Sequence, residues 1–244
     1  LEKGRKVVVV SSGAVTAGLG RLGKKCRPTD LAQLQAIAAI GQSALVEAYE
    51  KALAKHNRHA AQILLTAEDV EDRARYLNAR NTILTLLSLG AVPIINENDT
   101  ISVDELRLTF GDNDRLAAIV TNLIQAPLLV LLSDVEGLYT GDPSDPSSKL
   151  IPLVERFTSS LFDYVRDKKP GHSRGGMASK LEAARQVTSA GGNVIIAAGR
   201  EPGALEKIIS GEPVGTLFLA SGHIMAAKKR WIGFTVKPRG AVII

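Results

Sequence analysis

The sequence has 244 residues, 45% hydrophobic, 23% charged and 4% aromatic, with a formal net charge of +5. These values suit one large or two small globular α/β domains with a core of Val, Ile, Leu and Ala, and no apolar run approaches the ~20 residues of a membrane helix. Cys26 is the single cysteine and the four histidines are scattered, which excludes an intrachain disulfide and a Cys/His metal cluster and fits a reducing, cytoplasmic setting.

In chain order, short apolar runs alternate with helical patterns. Residues 7–10, 61–66, 91–95, 128–132 and 194–197 read as strands buried on both faces. Residues 31–55 read as a long helix capped by Thr29 or Asp30, and 67–89 as a short turn followed by a helix. Residues 112–124 place Leu116, Ile119, Val120 and Leu123 on one stripe, and 177–190 do the same with Leu181, Ala184 and Val187 before the Gly191-Gly192 stop. This alternation predicts a three-layer αβα sandwich with a largely parallel central sheet. Residues 100–110 read as a hairpin excursion, 141–149 as a surface loop, and 230–244 as the start of a further β unit. No signal-peptide pattern opens the chain.

Ligands of parallel α/β sheets sit at the carboxyl ends of strands, where this chain is unusually polar. Ser11-Ser12-Gly13-Ala14 follows the first run and reads either as a tight turn with a Ser cap or as a loop whose N–H groups approach an anion. Asn96-Glu97-Asn98-Asp99-Thr100 follows the third, with acceptors for an ammonium and donors for a carboxylate. Gly111-Asp112-Asn113-Asp114 opens a helix, where acids also serve the cap and dipole. Ser133-Asp134 follows the fourth run. The stretch from Gly171 through Gly175-Gly176-Met177-Ala178-Ser179-Lys180 leads glycines into a helix start, with Lys180 in its first turn; it is not a Walker A loop. The basic clusters, Lys168, Lys169, Arg174 and Lys180, then Lys228, Lys229 and Arg230, read as solvated surface or as contacts to an anionic ligand.

Taken together, VSSGAV (10–15), GQS (41–43), VPIINEND (92–99), GDND (111–114), LLSDVEGLYTGDP (131–143), GGMASK (175–180) and VGTLF (214–218) resemble the amino acid kinase family, and within it the branch acting on glutamate. The resemblance implies that Ser12, Asn96, Asp99 and Asn113 hold L-glutamate. It places Ser133, Asp134 and Gly175, Gly176, Met177, Ala178, Ser179 and Lys180 at the ATP site. Lys180 would neutralise charge on the moving phosphoryl group and Asp114 would orient the catalytic lysines. The implied reaction is in-line transfer from ATP, with Mg²⁺, to the γ-carboxylate, the first step of proline biosynthesis. A homo-oligomer and feedback by proline are further implications.

The same resemblance implies a kinase domain over 1–228 that lacks the family's first strand and its lysine-bearing loop, so that these residues alone are expected to be nearly inactive. Residues 229–244 would be a linker and the start of a C-terminal PUA domain, the one expected route to RNA binding. Carbamate, acetylglutamate, aspartate and uridylate kinases are the alternatives within the family; a non-catalytic sensor or RNA-binding module is the alternative outside it.

Overall fold

The computed structural model describes residues 4–101, 113–165, 176–221 and Trp231. The chain divides into two compact units, one within Leu1–Leu116 and one within Ala117–Val236.

The first unit contains β1 (Val9–Val10), α1 (Ala14–Arg21), α2 (Leu31–Ala54), β2 (Ala60–Leu65), α3 (Ala67–Glu71), α4 (Arg73–Ser88) and β3 (Val92–Glu97). Its sheet has the order β1-β3-β2, all parallel. The central strand, β3, contains a proline, which removes a ladder donor. The register explains why Pro93 is tolerated. The Val92 N–H bonds to His59 on the β2 side, so Pro93 faces β1, and β1 pairs only from Ile94 onward. Ile94 and Ile95 are both fully buried, and neighbouring strand residues point to opposite faces, so β3 is covered on both sides.

Caps set the helix starts. Asp30 accepts from the Gln33 N–H at 2.9 Å, choosing Asp30 over Thr29. Thr66 and Asp69 form a reciprocal capping box at α3, and Asp72 caps α4 by accepting from Arg75 N–H at 2.8 Å. α1 and α2 cross at glycines. A Cβ on Gly41 would sit 1.7 Å from the Ala14 carbonyl oxygen, and one on Gly18 would sit 2.0 Å from that of Ile37. Backbone lies on backbone there, and only glycine fits.

The second unit contains β4 (Leu128–Ser133), β5 (Leu153–Val154), a 3-10 helix (Ser159–Val165), α6 (Met177–Ser189), β6 (Asn193–Ala198), α7 (Ala204–Ser210) and β7 (Thr216–Phe218). Strand order is β4-β6-β7-β5, parallel except for β6 against β7. Between the two sheets in sequence lies α5 (Asn113–Ile124), within which the unit boundary falls. Its expected stripe is buried, and so are Ala117, Ala118, Thr121 and Asn122 on its other sides.

The α/β class and parallel pairing agree with expectation, and the strands among the described residues form two sheets, one in each unit. Three expectations change. β3 runs on through Asn96 and Glu97, so Asn96 is a strand residue rather than a residue of the loop. β4 is not buried on both faces: Leu129 and Leu131 are buried while Leu128 and Leu132 are exposed, as its edge position allows. The Ser cap considered for α1 does not form; Gly13, at φ 100°, occupies the cap position with no side-chain acceptor. The 141–149 loop is as expected, with Asp142 and Asp145 closing Asx turns onto Ser144 and Ser147. The hairpin expected at 100–110, apart from Thr100 and Ile101, lies outside the described residues. So do residues 229–244 apart from Trp231.

Candidate functional site

At the carboxyl end of β3 the first unit holds a cavity of about 220 Å³. It is lined by α2 (Ala38, Ala39, Gln42, Ser43), by β2 (Gln62, Leu64) and by the segment Glu97, Asn98, Asp99 and Thr100. The Asn98 N–H bonds to the Leu65 carbonyl at 2.9 Å and Asn98 Oδ1 accepts from the Thr100 hydroxyl, so this turn is tied to the sheet. The volume lies below the roughly 300–1,000 Å³ of drug-sized sites and suits a small metabolite.

Asp99 is half-buried. Burial raises its carboxyl above the ordinary value of 3.8, and the charge of Arg27 pulls part of the way back. Asn96 does not line the cavity. It is 2% exposed and stands behind it, donating from Nδ2 to Gln42 Oε1 at 2.9 Å. The resemblance implied that Asn96 holds the ligand; in the structure its amide donates to Gln42.

Ser12 is exposed in the loop between β1 and α1. Its neighbour Ser11 is buried, donates its N–H to Ile95 at 2.9 Å and shares a 3.0 Å hydrogen bond with the Tyr49 hydroxyl. Asn113 and Asp114, both half-buried, begin α5. Neither Ser12 nor Asn113 lines the cavity.

In the second unit Ser133 closes β4, and its hydroxyl donates to Asp134 at 3.1 Å. The chain then turns back over β7, held by Thr216. This fully buried residue accepts from Leu138 N–H at 2.8 Å and donates to the Ile151 carbonyl at 2.6 Å. Gly137 is small for the same reason, since a Cβ there would meet Thr216 Oγ1 at 2.6 Å. Gly176 occupies the cap position of α6 without a side-chain cap, Met177, Ala178 and Ser179 follow, and Lys180 is half-buried in the first turn. Both glycine-led helix starts, at α1 and α6, are without a side-chain cap hydrogen bond from the cap residue. Gly175 lies outside the described residues.

Among the described residues no group of three His, Cys, Asp or Glu could hold a metal ion. Mg²⁺ needs no such cage when phosphates supply most of its ligands and one or two carboxylates the rest. No helix among the described residues is long and apolar enough to cross a membrane.

Sequence reasoning missed Gln42, Arg27 and Thr216. Gln42 carried a signal, a lone amide after the apolar run Ile37-Ala38-Ala39-Ile40-Gly41. Arg27 and Thr216 act across the fold, and no local pattern names their partners.

The chain also resembles known proteins. The profile described as "Amino acid kinase family" matches residues 1–198. A glutamate 5-kinase of Citrifermentans bemidjiense is 48% identical over 243 residues, 99% of this chain and 65% of that protein. A glutamate 5-kinase of Methylococcus capsulatus is 47% identical over 244 residues, 100% of this chain and again 65% of the relative. The chain thus spans 65% of the length of these curated relatives. Among solved structures, a carbamate kinase from Giardia lamblia bound to AMP-PNP superposes with a TM-score of 0.60 at 17% identity, covering 90% of this chain and 85% of that one. An isopentenyl phosphate kinase from T. acidophilum does so at 0.57 and 18%, covering 87% and 83%. At those identities the likeness concerns the fold alone. The match over 198 of 244 residues places the protein: the chain belongs to the amino acid kinase family.

Proposed function

We propose that the protein containing this chain transfers the terminal phosphoryl group of ATP to the γ-carboxylate of L-glutamate, giving an acyl phosphate. The observation that carries this reading is the small cavity at the end of β3, with the Asp99 carboxylate in its wall. A cavity of about 220 Å³ suits an amino acid, and an acid beside it suits an ammonium. The curated relatives named glutamate 5-kinase, nearly half identical along the whole chain, support the same substrate.

On this reading Asp99 receives the ammonium, with Ser12 and Asn113 completing the glutamate site and Asn96 bracing it through Gln42. Ser133, Asp134 and the stretch from Gly175 to Lys180 hold ATP, the glycine-led start of α6 presenting N–H groups to phosphate. Lys180 neutralises charge on the transferring group, and Asp114 has the role of the acid that orients catalytic lysines. Mg²⁺ arrives with the phosphates. The carboxylate is already a competent nucleophile, so no general base is required, and catalysis rests on positioning and electrostatics. Proline competing at or near the glutamate cavity, and assembly into a homo-oligomer, extend the same proposal.

The test is an acceptor panel with ATP and hydroxylamine, which traps an acyl phosphate as a hydroxamate. Glutamate should give the hydroxamate and N-acetylglutamate, aspartate, carbamate and UMP should not. Turnover of another acceptor in place of glutamate overturns the proposal.

A further inference from the structure

One buried donor on a residue of the cavity wall has no partner among the described residues. Gln42 is 7% exposed and lines the cavity, and its Nε2 meets no hydrogen-bond acceptor among the described residues. Its orientation is fixed by a chain of bonds. The Glu97 backbone N–H donates to Asn96 Oδ1 at 2.9 Å. A backbone N–H can only donate, so the Asn96 oxygen must lie on that side and its Nδ2 must turn to Gln42. Nδ2 donates to Gln42 Oε1 at 2.9 Å, which leaves the Gln42 amino group directed away from Asn96. Two amides in series thus set the direction of one buried amide on a residue that lines the cavity.

A buried amide donor without an acceptor is costly, and native proteins rarely leave one without a reason. The cavity also holds Asp99, an acceptor whose carboxyl is raised by burial. An occupant carrying both an ammonium and a carboxylate would satisfy the two groups together.

We infer that Gln42 contacts the substrate directly, its Nε2 donating to a carboxylate oxygen of the amino acid in the cavity. This rests on the glutamate reading above and adds a specificity-determining residue to it. Gln42 then rejects analogues that lack an acceptor at that position, because binding them would leave the donor buried and unpaired.

The test uses the full-length protein with Gln42→Glu and Gln42→Met, assayed at pH 8 for the Michaelis constants of glutamate and ATP separately. Gln42→Glu keeps the shape and the acceptor for Asn96 but exchanges the donor for a second acceptor. Gln42→Met removes the donor without adding charge. Both should raise the glutamate KM about tenfold to a hundredfold while the ATP KM stays within about twofold. A glutamate KM equal to wild type in either variant overturns the inference and leaves the glutamate reading standing. A parallel rise in the ATP KM, with a lowered melting temperature, assigns Gln42 to structure and also overturns it. A wild-type protein with no glutamate-dependent turnover overturns the substrate reading itself, and the inference with it.

Discussion

The crossing of α1 and α2 gives a sharp energetic test. In Gly41→Ala the new methyl would lie 1.7 Å from the Ala14 oxygen and 2.4 Å from the Gly18 nitrogen. Ordinary contact begins near 3.4 Å, so the helices must part by about 3.4 − 1.7 = 1.7 Å along that line. The obstructing atoms are backbone on both sides, and no rotamer change relieves them. Overpacking of this kind costs about 1–3 kcal/mol, and its upper end applies here; the better helix propensity of alanine returns at most ~1 kcal/mol. The net loss is about 2 kcal/mol, or roughly 4–8 °C in Tm for a protein of this size. Gly20→Ala is the control. It lies in α1, the other helix of the crossing, and nothing stands within 4 Å of its Cβ position. That variant should gain about 0.5–1 kcal/mol. Thermal and urea unfolding of both measure the difference. Equal stability of Gly41→Ala and wild type, or equal destabilisation by the two substitutions, refutes the backbone-contact argument. Because Gln42 follows Gly41 directly, the glutamate KM should rise in Gly41→Ala and stay unchanged in Gly20→Ala.

Other perturbations have equally definite signs. Thr66→Ala removes one half of the α3 capping box and should cost about 1 kcal/mol, read as a Tm fall of roughly 2–4 °C. The Asp69 half adds a pH signature. Burial raises the Asp69 carboxyl, but the Thr66 N–H and hydroxyl and the Arg75 guanidinium outweigh it and hold it below 3.8, so its stabilisation is present above pH 3.8 and is lost as pH falls through the folded value. Thr216→Val is close in shape but leaves Leu138 N–H and the Ile151 carbonyl without their hydroxyl partner, a loss of about 2 kcal/mol measurable by urea unfolding. Arg27→Gln removes the charge that opposes the burial of Asp99, so the Asp99 carboxyl should rise further. If ionised Asp99 binds the ammonium, the acidic limb of kcat/KM for glutamate then moves to higher pH; an unmoved limb dissociates Asp99 from binding. In the stability profile Asp99 acts with the opposite sign to Asp69, its contribution falling as pH rises from 3.8 through its elevated folded value.

Much of the architecture was legible because local and global signals agree. Continuous aliphatic runs became β3 and β6, and Asp30 and the Gly191-Gly192 stop marked helix ends where expected. β5 and β7 escaped notice, since strands of two and three residues carry too little pattern to register. Asn96 was misjudged because its polarity resembled that of a loop, whereas tertiary pairing with Gln42 keeps it in the strand. The candidate site divides similarly. Asp99 stood in a polar run at a strand end and could be picked out by position. Gln42 is a single amide whose importance appears only when the Glu97 N–H, the Asn96 amide and the cavity are seen together. Thr216 lies in the string VGTLF, but nothing there points to Leu138, 78 residues away, as its partner.

The central claim is that a carboxylate oxygen of glutamate attacks the terminal phosphorus of ATP. The full-length protein, given glutamate labelled with ¹⁸O in the γ-carboxylate, ATP and hydroxylamine, measures this directly. The attacking oxygen becomes the bridge of the acyl phosphate, and hydroxylamine attack at the carbonyl expels it with the phosphate. The account predicts one ¹⁸O per phosphate released; phosphate free of label, with ADP formed at the same rate, would contradict it.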